Sequence, residues 1–241
     1  HLLLQIQTER YSMKTVVPET LIPDDLTLPN EDIAGSHTAI MRQFKSIRDE
    51  FESYVRDRDE GSNQYTSSPK YLNSTMEYHT TIALLDFQRW LNNRIQGTVV
   101  DVGCATGIVG LSLAHRGLAV TFHDFEGIGL AFIRYYANKH HFDYKAIPYG
   151  QEIEQHDWAI AQDVLEHTPN PLTFLKWIAG LGRNVLLTCP LSVEYQEPYK
   201  SLRTDEFVDD EAIKWVLEKR HEIFLWHRLD GRRYIGFKSN K

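Results

Sequence analysis

Two glycines and two acids carry the first chemical signal in this chain. Asp101-Val102-Gly103-Cys104-Ala105-Thr106-Gly107 closes an apolar run that includes Val99 and Val100. Val120-Thr121-Phe122-His123-Asp124 follows, and its terminal acid lies at the roughly 20-residue interval at which a strand-end carboxylate accepts hydrogen bonds from ribose hydroxyls. Glycine permits a sharp strand-to-helix turn and lets a ligand lie against the loop. Cys104, Ala105 and Thr106 are small, so amides of the turn and of the helix start are open to a negatively charged group. The pattern is that of a nucleoside site. Taken singly, Gly103 and Gly107 fit any tight turn and Asp124 fits an ordinary polar strand end; the spacing makes them support each other.

The turn also discriminates between nucleosides. The dinucleotide fingerprint G-x-G-x-x-G needs glycine at positions 103, 105 and 108, with alanine tolerated at the last, whereas the chain has Gly103, Ala105 and Ile108. Less room is left for a pyrophosphate. A further buried strand ending in polar residues is read in Asp157-Trp158-Ala159-Ile160-Ala161-Gln162-Asp163-Val164-Leu165-Glu166-His167-Thr168-Pro169.

At these residues the chain resembles the class I S-adenosylmethionine-dependent methyltransferases. Within them it is most similar to the branch that includes the ubiquinone-biosynthesis O-methyltransferases and many small-molecule methyltransferases. The matching pieces are Asp101 to Gly107, Asp124, and Val164-Leu165-Glu166-His167 followed by Pro169 and Pro171, and the resemblance covers residues 75 to 190. It implies S-adenosylmethionine as cofactor, with S-adenosylhomocysteine as product. It also implies cofactor contacts from Asp101, Gly103, Cys104, Ala105, Gly107, Asp124, Phe125, Asp163 and Val164. Asp101 and Gly103 would hold the amino acid end, Asp124 the ribose, and Asp163 would lie near the sulfonium and methionine portion. Two departures stand out: Cys104-Ala105 where relatives carry further glycines, and Ala179-Gly180-Leu181-Gly182-Arg183-Asn184 where a Pro-Gly-Gly often precedes the fifth strand.

These residues need a scaffold that brings strand ends together. Strands are predicted near 98–102, 119–123, 144–147, 158–162 and 184–188, with helices from 107, about 127 and about 171. Such alternation predicts an α/β fold with a doubly wound, mostly parallel sheet. His221 to Leu229 and Arg232 to Phe237 are predicted as strands joined by the turn pair Asp230-Gly231, after a helix near 206–220. The resemblance implies seven strands in all, the last antiparallel. Ser74-Thr75-Met76-Glu77 has the form of a capping box, predicting a helix through Trp90 that turns Ile82, Leu85 and Leu91 to the sheet. Ahead of it, Pro18, Pro23 and Pro29 mark an extended arm. Asn30 would open a helix to about Asp59 with an apolar stripe of Ile33, Ile40, Phe44, Ile47, Phe51 and Tyr54, and Gly61 to Lys70 reads as a polar linker. Residues 1–73 are thus an N-terminal extension that packs on, or covers, a cofactor-binding domain over 74–241.

Methyl transfer asks chiefly for alignment, with a base needed only where the acceptor must lose a proton. His167 is the candidate base, because it follows the strand-end acids and imidazole titrates near neutrality; a histidine satisfying a helix start is the bland alternative. Asp163, Glu166 and His167 would share a face if the segment turned helically, a set able to hold a divalent ion, but three ligands without a fourth make a weak metal site and none is assigned. His140-His141 reads as a structural pair at a helix end and His79 as a packed helix residue. Ser192 to Asp205, with Tyr195, Tyr199 and Arg203, reads as an acceptor-binding wall.

Bulk properties agree with one enzyme domain. A chain of 241 residues with 42% hydrophobic composition buries a full core. Its formal charge of −7 is poorly suited to a phosphate backbone, so no nucleic acid partner is expected, although Lys219-Arg220 and Arg232-Arg233 leave room for a local basic groove. Only Cys104 and Cys189 are present, which favours a reducing, cytoplasmic compartment over a disulfide framework. No apolar run is long enough for a membrane span, and His1-Leu2-Leu3-Leu4 reads as a trimmed or tag-derived start. The expected activity is methylation of a small or medium-sized metabolite, O-methylation first. A nicotinamide-dependent oxidoreductase and a non-catalytic cofactor-binding partner subunit are the alternatives; oligomeric state is left open.

Overall fold

Val99–Val102 forms the central strand, β1, and all four of its residues are buried, as a parallel strand covered on both faces requires. The computed structural model describes residues 37–56, 69–79, 82–190, 213–214, 217–218, 221–229 and 232–239. On one side β1 pairs in parallel with β2 (Val120–Asp124), starting at Val99↔Val120, and β2 pairs in parallel with β3 (Tyr144–Pro148). On the other side it pairs in parallel with β4 (His156–Gln162), which pairs in parallel with β5 (Gly182–Pro190). The chain ends in β6 (His221–Leu229) and β7 (Arg232–Ser239), with β7 inserted between β5 and β6 and antiparallel to both.

The sheet order is therefore β3-β2-β1-β4-β5-β7-β6. Winding reverses between β1 and β4, and the crevice outside the carboxyl ends of those strands is where such sheets bind ligands. The doubly wound, mostly parallel seven-stranded sheet with an antiparallel last strand is present as expected.

Alternation of side chains assigns the two faces. Val99, Phe122, Ile160, Leu186 and Tyr234 join one apolar cluster, and Val100, Val102, Ala161, Leu187 and Ile235 join the other. The first face is covered by α1 (His37–Val55), α2 (Pro69–Tyr78), α3 (Ile82–Arg94), α4 (Ile108–Ala114) and α5 (Ile128–Lys139). The second takes α6 (Pro171–Leu181), whose Leu175 and Ile178 are fully buried. Ile40, Phe44, Ile47 and Phe51 form the buried stripe of α1, with Tyr54 packed beside it; each fully buried side chain of this kind stabilises by about 1.5–3 kcal/mol. Ile33 lies outside the described residues, as do the arm and most of the linker, the 192–205 segment and the Asp230-Gly231 turn.

Two local expectations are corrected. Ser74 and Thr75 do not cap a helix: they sit inside α2, where both hydroxyls donate back to the Tyr71 carbonyl, at 2.8 and 3.1 Å. The helix instead begins at Pro69, a residue suited to the first turn because its missing N–H has no intrahelical partner there. Residues 69–70 therefore belong to α2 and not to a linker, and α3 is a separate helix that buries Leu85 and Leu91. The missing Pro-Gly-Gly has a simple counterpart: α6 ends at Leu181 and β5 starts at Gly182 with no intervening loop. A Cβ at Gly182 would come within 2.5 Å of the Ala159 amide nitrogen, so only glycine lets β5 enter so close to β4.

Among the described residues no helix is long and apolar enough to cross a membrane, and both cysteines are buried and unpaired with each other. The start of α6 is held by the Asn170 side chain, which accepts a hydrogen bond from the Thr173 amide at 2.9 Å, with Pro171 at the first helical position. Asn170→Ala is expected to cost about 1 kcal/mol, read as a lower urea midpoint with an unchanged slope.

Candidate cofactor site at the β1–β4 switch point

The turn after β1 is built from three residues with left-handed backbone: Gly103 at φ 65°, Ala105 at φ 50° and Gly107 at φ 72°. The Gly103 amide donates to the His123 carbonyl at 2.8 Å and the Gly107 amide to the Cys104 carbonyl at 2.6 Å. Ala105 takes a left-handed conformation that costs a non-glycine residue about 1 kcal/mol of local strain. The strained residue is held by a charge. The Ala105 amide donates to one oxygen of Asp124 at 2.6 Å while the Phe125 amide donates to the other at 2.6 Å. Each carboxylate oxygen accepts one amide and keeps a further lone pair for hydroxyl donors. Burial raises the Asp124 carboxyl above its usual range, and the two amide bonds oppose that rise.

Asp101 is placed differently. Its carboxyl lies beneath the turn and accepts the Gly110 amide of α4 at 2.9 Å, which ties strand to helix. Gly110 allows that approach, since a Cβ there would sit 2.8 Å from the Asp101 carboxyl. Burial drives the Asp101 carboxyl up to about 7. The Cys104 thiol, also buried, is pushed well above its ordinary value and stays protonated. Thr106 is buried with no hydrogen-bond partner for its hydroxyl, and α4 begins at Gly107 without a side-chain cap, so polar groups of the turn remain for an anionic group of a ligand.

Phe125 and Tyr149 stand at the rim of this turn. They are 53% and 66% exposed, unusual for large rings, and their centroids lie 5.0 Å apart. The Tyr149 amide donates to the Asp124 carbonyl at 2.7 Å, which fixes the end of β3 against the end of β2. Tyr149 was not among the predicted site residues; it is the first residue past the Asp124↔Pro148 register pair, a place visible only once β3 is aligned with β2.

Across the crevice, Asp163 follows β4 with a left-handed backbone of φ 55°. Its amide donates to the Thr188 carbonyl at 3.0 Å, and its carboxylate accepts the Thr188 hydroxyl at 3.3 Å and the Arg232 guanidinium at 2.5 Å. Tyr78 covers that guanidinium, with its ring centroid 4.6 Å from the central carbon. Burial pulls Arg232 down to about 10. Val164 packs into the space left by the absent side chain of Gly103, drawing the β1 and β4 loops together.

His167 ends the short 3-10 turn Leu165–His167 and is half-buried, with its ring nitrogen 4.0 Å from the Glu166 carboxylate. The helical face imagined for Asp163, Glu166 and His167 does not form: the left-handed Asp163 precedes the turn and is directed to Arg232. Among the described residues, no group of three or more His, Cys, Asp or Glu side chains is placed to hold a metal ion. His79 is buried against Phe44, and desolvation lowers it to about 4. His140 caps the end of α5 and its ring lies 3.4 Å from Glu50 of α1.

A glycine turn and a strand-end acid at the switch point of a sheet in this order define the class I methyltransferase fold, and the chain has that fold. No family model matches the chain. A ubiquinone biosynthesis O-methyltransferase of Acinetobacter baumannii is 32% identical over 98 residues, which are 36% of this chain and 41% of that protein. One of Aeromonas salmonicida is 30% identical over 104 residues, or 39% and 44%. The chain thus matches less than half the length of these curated relatives. Among solved structures, magnesium protoporphyrin IX methyltransferase of Synechocystis with bound S-adenosylmethionine superposes with a TM-score of 0.52 at 18% identity, over 82% of this chain and 97% of that one.

The elevated Asp101 carboxyl has a measurable consequence. The native protein keeps a proton that the unfolded chain releases near 3.8, so this contribution to stability is full below that value and is lost as pH rises through about 7. Asp101→Asn keeps an acceptor for the Gly110 amide but cannot ionise. Its urea midpoint is expected to gain on that of the wild type between about pH 5 and pH 8, by up to a few kcal/mol in stability.

Proposed function

We propose that the chain transfers the methyl group of S-adenosylmethionine to a small or medium-sized metabolite, with oxygen as the favoured acceptor atom. The observation that carries this reading is the Asp124 carboxylate, held by the Ala105 and Phe125 amides at the switch point, directly beside a turn in which every side chain is small. Names of the partial relatives and of the structural neighbours support the chemistry. A nicotinamide cofactor is disfavoured by Ala105 and by Ile108, which is buried in the apolar cluster where the fingerprint needs its third glycine.

When bound, the cofactor brings a methyl group already activated by a positive sulfur, so the protein's work is alignment and exclusion of water. Asp124 accepts the ribose hydroxyls with its remaining lone pairs. Phe125 and Tyr149 supply aromatic surface for the base, and the Thr106 hydroxyl with the start of α4 answers the amino acid carboxylate. Asp101 holds the turn from behind through Gly110. Asp163 and Val164 border the methionine portion. His167 takes the proton where the acceptor is a hydroxyl.

Calorimetric titration with S-adenosylmethionine, S-adenosylhomocysteine and NAD tests the cofactor. Binding of the first two without the third is expected, and Asp124→Ala is expected to weaken that binding by about 1–3 kcal/mol, roughly one to two orders of magnitude. An affinity indifferent to Asp124 removes the reading. His167→Ala is expected to lower turnover by about 10²–10⁴-fold while cofactor affinity stays within twofold; a matching fall in melting temperature with no loss of turnover per folded molecule assigns His167 to structure instead.

A further inference from the structure

One buried, ion-paired charged group lies outside every segment that resembles a methyltransferase motif. Arg232 opens β7 opposite Pro190 of β5, and β5 in turn separates β7 from β4. Its side chain is only 7% exposed, yet it reaches across β5 to Asp163, which is 17% exposed. Two strand spacings amount to about 10 Å, a span that a long side chain meeting a short acid covers.

Stability alone explains this arrangement poorly. Taking a guanidinium and a carboxylate out of water costs several kcal/mol per ion, and apolar replacements of buried pairs are often neutral or stabilising. Geometry explains it better. Asp163 has a left-handed backbone that costs a non-glycine residue about 1 kcal/mol, and three separate bonds keep it there: its own amide to the Thr188 carbonyl, the Thr188 hydroxyl to its carboxylate, and Arg232. The Tyr78 ring then covers the guanidinium face, so the arginine is held by α2 on one side and by the acid on the other. Four elements, α2, β4, β5 and β7, converge on the orientation of one carboxylate at the carboxyl edge of the sheet.

We propose that Arg232 is a positioning residue for the methionine end of the cofactor site, acting through Asp163. The inference rests on the methyltransferase reading of Asp163 and adds a residue that carries no cofactor contact of its own. It predicts that the two ends of the cofactor respond differently to its loss. The adenosine end is built by Asp124, Phe125 and Tyr149, whereas Arg232 bonds Asp163 and lies under the Tyr78 ring.

The test is calorimetry on the full chain with S-adenosylhomocysteine and with 5′-methylthioadenosine, which lacks the amino acid portion. Arg232→Met is expected to weaken the first by about tenfold or more and the second by less than twofold. Arg232→Lys recovers part of the loss, because it restores charge without the planar fork. Asp163→Asn behaves like Arg232→Met, and the double variant is no worse than either single one, as residues acting through one interaction require. Equal weakening of both ligands, or of neither, overturns the inference while leaving the methyltransferase reading intact. If Arg232→Met does not fold, Arg232→Lys and Asp163→Asn decide the matter by the same contrast, expected at about threefold or more for the homocysteine ligand. A wild-type chain that binds neither ligand overturns this inference and the methyltransferase reading together.

Discussion

Asp124 is the point on which the cofactor half of the crevice turns. Its carboxylate accepts the Ala105 and Phe125 amides, each at 2.6 Å, and so sets the distance between the turn after β1 and the end of β2. Much else answers to that distance. Ala105 can keep a left-handed backbone because the bond to Asp124 compensates for it, and Gly129 of α5 must lack a side chain because a Cβ there would run into the Ala105 carbonyl. Gly103 must lack one because Val164 occupies the space from the opposite loop. Each glycine near the crevice thus serves close packing of backbone and loop, and the opening for a ligand is a by-product of the same economy of side chains.

Asp101 shows how two acids of one motif part company through environment. Asp124 ends β2, where burial raises its carboxyl and two backbone amides oppose that rise. Asp101, paired with Phe122 on the neighbouring strand, is buried against α4 with a single amide partner, so the cost of desolvation dominates and its carboxyl is raised to about 7. Below about pH 7 Asp101 is a mostly protonated, hydrogen-bonded acid behind the turn, with Asp124 in front of it. The turn is thereby held from both sides without two like charges facing each other in a buried space.

Legibility of the fold in the sequence follows the range of the contacts involved. Short strands separated by helical stretches mark β1 to β5 within a few residues, most clearly β1 and β4, where burial leaves continuous apolar runs such as Val99-Val100 and Ala159-Ile160-Ala161; β3 has no buried residue. Gly103, Ala105, Asp124 and Phe125 are brought together by contacts of similarly short range, within one strand-helix-strand unit. The start of α2 was misread because Ser74-Thr75-Met76-Glu77 has the form of a cap, while the hydroxyls bond backward to Tyr71 within a helix that Pro69 had already begun. The place of Tyr149 depends on register between β2 and β3, and Arg232 reads in the sequence only as half of a basic pair with Arg233, since its partner Asp163 lies 69 positions away.

That contrast divides the crevice into two halves of different physical origin. The half around Asp124 closes through residues about 20 positions apart, so it forms as soon as β1 and β2 pair. The half around Asp163 is complete only when β7 has inserted beside β5 and Tyr78 of α2 has come over Arg232, contacts between residues 69 and more than 150 positions apart. A local unit of glycines and an acid therefore shapes one side of the crevice, whereas the last strand and an N-terminal helix fix the Asp163 side. On the proposed role of Arg232, substitutions in β7 or α2 reach the Asp163 side of the crevice from far away in sequence, because breaking a buried ion pair leaves a charge without its partner.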